Sequence, residues 1–91
     1  MAVYFFKSVP AVLDYTIDWS EWLEMGDTIA TSSWSVPAGI TDVIDSKTTT
    51  TTTIKVAAGV LGMQYQLINT ITTVAGLTDT RTIVLTIISG E

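Results

Sequence analysis

The stretch of sequence that decides the fold is MQYQLINTITTVAGLTDTRTIVLTIIS, residues 63–89. Apolar and polar residues alternate in both halves, which is the period of a β-strand and not of a helix. In the second half, Leu85 and its second neighbours on either side are all leucine or isoleucine and share one face. Gly76 lies in the link, where it can adopt a positive φ at no steric cost. The pattern predicts a β-hairpin with strands over residues 63–74 and 80–89.

Upstream of this hairpin, threonine, isoleucine and valine alternate between frequent turn residues, as in a β-sandwich. Further strands are predicted at residues 11–18, 27–36, 40–44 and 48–57. A capping-box pattern that begins at Asp18 predicts one short helical turn near residues 19–25, with Gly26 as its stop. The fold class is therefore all-β: a single immunoglobulin-like β-sandwich of about seven strands over residues 11–91. Residues 1–10 form either an N-terminal arm or the first strand.

The same alternation predicts which side chains form the core. It selects Ile29, Trp34, Ile54, Val56, Tyr65, Leu67, Ile71, Ile83, Leu85 and Ile87. Tyr65 stands at the start of a late strand, where many immunoglobulin-like domains have a tyrosine whose hydroxyl bonds to nearby backbone.

Composition excludes several classes of function. The 91 residues include no cysteine and no histidine, so disulfides, thiolate metal sites and serine–histidine triads are excluded. The net charge is −5 and the four basic residues are scattered, which argues against nucleic-acid binding. No apolar run approaches the length of a membrane span, and the N-terminus does not have the pattern of a signal peptide. We expect neither an enzyme nor a cofactor.

Five acidic residues follow one another with no basic residue between them: Asp14, Asp18, Glu21, Glu24 and Asp27. A glycosidase pair would need a cleft, which a domain of this size rarely has. Calcium binding is chemically sensible, but the spacing matches no EF-hand loop. The simplest interpretation is a set of solvated strand-end residues with Asp18 as a cap, so no metal site is predicted.

The tryptophans Trp19, Trp22 and Trp34 have three possible roles. Tryptophan in a small domain usually packs in the core, and next most often contacts another protein. Trp19 and Trp22 could share one face of a helical turn and stack on a sugar, as in a carbohydrate-binding module.

Residues 2–9 and 19–23 contain the apolar side chains that are hardest to bury within the domain. The candidate partner-interface residues are Val3, Tyr4, Phe5, Phe6, Trp22 and Leu23. A strand over Val3–Phe6 would point two of its four consecutive apolar residues away from the core. Such exposed aromatic residues usually mark an interface. The alternative is an ordinary edge strand with both faces covered by the same chain.

Two blocks of sequence resemble those of small virion proteins of tailed bacteriophages. One is Asp-Trp-Ser-x-Trp-Leu at residues 18–23, followed by Gly-Asp-Thr-Ile at 26–29. The other is Val-Pro-Ala-Gly-Ile at 36–40, followed by the threonine-rich strand. Proteins of this group are fiber–tail adaptors or structural proteins of the head–tail region.

The resemblance implies a non-enzymatic virion protein that is assembled in the host cytoplasm and helps to attach fibers to the tail. It also implies several symmetric copies, in contact with a tail adaptor, a nozzle protein, a fiber or the capsid. Two alternatives are a capsid decoration or cementing protein, and a carbohydrate-binding adhesion module.

Overall fold

Seven strands account for most of the chain, in agreement with the alternating sequence. The structure, a computed structural model, describes residues 2–89, and side chains from Tyr4 onward. The strands are β1 (Ala2–Ser8), β2 (Leu13–Asp18), β3 (Ile29–Ser35), β4 (Ile40–Lys47), β5 (Thr51–Ala58), β6 (Gln64–Thr73) and β7 (Thr78–Ile88).

The predicted hairpin is confirmed as β6 and β7. These strands pair in antiparallel register, with Tyr65 opposite Leu85 and Thr72 opposite Thr78. Gly76 has a φ of 91° in the connecting turn, the left-handed region that favours glycine.

The strands form two sheets. The four-stranded sheet has the order β1-β7-β6-β3, and the three-stranded sheet has the order β2-β5-β4. In immunoglobulin lettering, from A to G in chain order, these are the sheets A-G-F-C and B-E-D. The first strand thus joins G, where the constant-type domain has it in the B-E-D sheet. β1 pairs in parallel with β7, while all the other strand pairs are antiparallel. The prediction of an all-β sandwich is confirmed.

The core lies between the two sheets and contains nine of the ten predicted residues as buried side chains. Trp34 is the exception: it packs against the core but is only partly buried, because β3 is an edge strand. Sequence alternation did not select four further members of the core cluster, Tyr15, Ile17, Trp19 and Ile40.

Three local predictions differ clearly from the structure. β4 continues to Lys47, three residues beyond the predicted end at residue 44. The helical turn consists of a single hydrogen-bonded turn in which Leu23 N–H donates to the Trp19 carbonyl, and residues 2–89 contain no helix. The threonine-rich strand begins at Thr51, not at residue 48. The hydroxyl of Thr48 accepts hydrogen bonds from the backbone N–H groups of Thr50 and Thr51, which stabilises a turn in place of a strand.

Candidate interaction surfaces

Two aromatic side chains of β1 point away from the core. Tyr4 is 68% exposed and Phe6 is 66% exposed. Tyr4 lies beside Val84 of β7, and Phe6 lies beside Thr86, on the outer face of the four-stranded sheet. We call Tyr4 and Phe6 the aromatic pair. Strand geometry places them on one face because they are two residues apart.

The residue between them faces inward. Phe5 packs against the core and stacks on Tyr15 with ring centroids 4.8 Å apart. The Tyr15 hydroxyl also donates to the carbonyl of Phe6 at 3.3 Å. β1 is thus held to β2 of the other sheet as well as to β7. The side chain of Val3 lies outside the described residues.

Trp22 and Leu23 belong to a different surface from the aromatic pair. Both are partly buried and pack against the core from the connection between β2 and β3. Trp22 meets Trp19 edge to face, with ring centroids 5.5 Å apart. Trp19 is fully buried, so the expectation that the whole turn at 19–23 contacts a partner needs correction at this residue. An open platform of Trp19 and Trp22 for a sugar is excluded for the same reason.

A buried polar network holds Trp19 in the core. Its indole N–H lies 3.2 Å from both the Thr52 hydroxyl and the Asn69 side-chain oxygen. Thr52 in turn donates to Asn69 at 2.7 Å. The Asn69 amide donates to the Ser32 hydroxyl and the Ser33 carbonyl. Every member finds a partner, which is what makes polar groups tolerable at this depth.

Arg81 packs against the Trp19 ring of this network. Its guanidinium carbon lies 4.2 Å from the centroid of the Trp19 ring, a cation–π contact. It also donates to the backbone carbonyl of Asp18 at 2.9 Å. Periodicity did not predict this role, because Arg81 is isolated among threonines in the sequence.

Two residues of the acidic group, Asp18 and Asp27, form hydrogen bonds that stabilise the fold. Asp18 accepts a hydrogen bond from Ser20 N–H, which, with the nearby Arg81, holds the pKa of the Asp18 carboxyl below its ordinary value. Asp27 accepts from the backbone of Thr28 and of Ala75, and so ties the β2–β3 connection to the β6–β7 turn. Within residues 2–89, no three acidic side chains are grouped in a way that could hold a metal ion.

Lys7 is a feature that the sequence did not reveal. It is 1% exposed, and its ammonium donates to the carbonyls of Ser8, Val9 and Ala58 at 2.8, 3.1 and 2.7 Å. Burial lowers the pKa of this ammonium. The three bonds join the end of β1 to the end of β5. Ala58 has a φ of 65°, the only positive φ of a non-glycine residue in the part of the chain that the structure describes.

Tyr65 has the predicted corner role. Its hydroxyl accepts a hydrogen bond from the backbone N–H of Val60 at 3.0 Å. Gly39 lies against the same ring: a β-carbon at this position would stand 3.0 Å from the Tyr65 hydroxyl. Tyr65 therefore joins the β5–β6 and β3–β4 connections.

These features define a class of protein. The described residues form a small immunoglobulin-like sandwich with no surface pocket, whose exposed apolar groups lie on strands and connections. Residues 2–89 contain no helix that is long and apolar enough to cross a membrane. Such a domain is suited to contact other proteins over its surface.

The sequence profile of the podophage GP4 fiber-tail adaptor protein gp77 matches residues 7–86. The chain belongs to this family. A search of curated protein sequences found no match.

Proposed function

We propose that this chain is a non-enzymatic component of the phage virion that joins fibers to the tail, in several symmetric copies. Membership of the fiber-tail adaptor family is the observation that carries the proposal, since the match covers nearly the whole sandwich. An adaptor must contact proteins on two sides. The described residues of this domain form no pocket, but they include apolar side chains that are exposed on its surface.

The aromatic pair is the proposed contact with another virion protein. Two large aromatic side chains about two-thirds exposed are unfavourable in water, and aromatic residues dominate the binding energy of protein interfaces. They lie on a strand that is held on both sides, by pairing to β7 and by the bond from Tyr15 to Phe6. The partner would therefore meet a rigid surface. Trp22 and Leu23 remain candidates for a separate contact.

The test is the double substitution Tyr4→Ser and Phe6→Ser in the phage that encodes the chain. Each aromatic that fills a pocket contributes roughly 2 kcal/mol or more, which is about 30-fold in affinity for one residue and about 1,000-fold for both together. Electron microscopy of particles should show far fewer fibers. Because both side chains point outward, the purified variant should melt near the wild-type temperature.

Matched substitutions serve as the control. Gln64→Ser and Gln66→Ser change two exposed residues of the same outer sheet face and should leave fibers in place. Normal fibers on the aromatic double variant would overturn the proposed contact. Normal fibers on particles that lack the chain altogether would overturn the adaptor function itself. Deletion of residues 1–8 is a poor test, because it also removes the buried Lys7.

A further inference from the structure

One end of the sandwich is free of charge in the described residues. Three connections lie there, at residues 9–12, 36–39 and 59–63. Residues 88–89, at the end of β7, lie at the same end. We call these residues the apolar end. They contain no acidic or basic residue, and Ser89 carries their only polar side chain. The nearest ammonium, that of Lys7, is turned inward and buried.

Six apolar side chains of this end are exposed, each by about a third to three-fifths of its surface. They are Val9, Val12, Val60, Leu61, Met63 and Ile88. Together they present on the order of 500 Å² of apolar surface, at the upper end of the range for single proteins. A standard interface buries about 800 Å² on each partner, so this end supplies more than half of one.

Hydrogen bonds hold the apolar end in one arrangement. Val9 N–H donates to the Ile88 carbonyl, and Gly62 N–H donates to the Ile87 carbonyl. The ammonium of Lys7 bridges the β1–β2 connection to Ala58. A surface that is already ordered loses little conformational entropy when a partner binds.

The opposite end of the molecule is rich in acidic residues. Five of the nine acidic residues lie on or beside the connections there: Asp18, Glu21, Glu24, Asp27 and Asp79. The domain is elongated, with principal extents of 44 × 21 × 19 Å. The two ends can therefore face different surroundings at the same time.

We propose that the apolar end docks end-on against an uncharged, apolar surface of a neighbouring virion protein, with the acidic end pointing away. This inference rests on the proposed adaptor function and adds which end is attached. The chemistry of the partner follows from charge: a charged group buried against the described residues of the apolar end would find no opposite charge among them, and burying it unpaired is costly. A partner surface without charge meets no such cost.

The test uses Leu61→Asp and, separately, Val12→Asp, each in the phage that encodes the chain. Both residues are more than half exposed, so the folded domain should tolerate the change. The amount of chain per purified particle should fall at least tenfold. Val74→Asp is the matched control: Val74 is 72% exposed in the β6–β7 turn at the opposite end, and this variant should incorporate within twofold of wild type.

Three results would overturn the inference. Normal incorporation of both Asp variants would do so, and so would an equal loss in Val74→Asp. A wild-type dimer in sedimentation that Leu61→Asp converts to monomer would show that a second copy covers this end. Particles lacking the chain separate these failures from failure of the adaptor function: if those particles have no fibers, the adaptor function stands whichever end is attached.

Discussion

Lys7 is a charged residue that lies in the interior of the domain. A buried ammonium is tolerated when each of its three donors has an acceptor, and here three backbone carbonyls supply them. Water has little access to the ammonium itself, since Lys7 is 1% exposed. The same rule holds for the neutral indole of Trp19, whose single N–H has two acceptors, the Thr52 hydroxyl and the Asn69 side-chain oxygen.

Lys7→Met should lower the free energy of unfolding by about 2 kcal/mol. Methionine keeps most of the volume but removes the donors, so three backbone carbonyls lose a partner, which outweighs the relief from burying a charge. Urea unfolding measures the change. Lys55→Met is the control, because Lys55 is partly exposed on the outer face of β5, and it should change stability by no more than about 0.5 kcal/mol. Equal effects would show that the three bonds contribute nothing.

At the scale of the element, β5 shows how a threonine run acquires a register. The six threonines at residues 48–53, three of which lie in β5, look alike, and alternation by itself specifies their pairing weakly. In the folded chain Thr52 bonds to Trp19 and Asn69, while Thr48 stabilises the turn before the strand. A slip of one residue would turn the Thr52 hydroxyl to the outer face and break this network.

β4 is an edge strand that is protected against pairing with another chain. Asp42 and Asp45 lie opposite the core residues Val56 and Ile54 in register, so they point to the inner side at the sheet edge. Inward-pointing charge is a common device against edge-to-edge association. Burial, together with the neighbouring Asp45, raises the pKa of the Asp42 carboxyl.

The two faces of β7 should respond differently to truncation. Leu85→Ala should lower the free energy of unfolding by about 2–5 kcal/mol, because Leu85 is fully buried and its loss leaves a cavity. Ile88→Ala removes a comparable side chain from the exposed outer face and should cost less than about 1 kcal/mol. Chemical denaturation of both variants is the measurement. A larger cost for Ile88→Ala would mean that the faces of β7 are reversed, and equal costs would contradict the predicted difference between them.

At the scale of the whole molecule, the two sheets share one core. Buried residues of β5 pack with those of β6 and β7 in a single cluster, and Trp19 comes from the connection between the sheets. We therefore expect the domain to unfold in one cooperative step. Tryptophan fluorescence and far-ultraviolet circular dichroism should give the same melting temperature. An earlier transition in either signal would show that one sheet unfolds before the other.

The sequence by itself determined the strands, the hairpin and most of the core, because a period of two reports locally which face a residue occupies. It also predicted that two of the residues Val3 to Phe6 would face away from the core. Alternation alone could not say which two, because both faces of that segment are apolar. The pairing of β1 with β7 decided that Tyr4 and Phe6 are the exposed ones.

Only the tertiary structure decided the position of Lys7, the network around Trp19 and the apolar end. Each depends on residues far apart in the chain: Lys7 bonds to Ala58, and Trp19 bonds to Thr52 and Asn69. The apolar end is assembled from four separate segments that sheet order brings together. Local periodicity carries no information about which connections meet, and so the apolar end is visible only once the two sheets are packed.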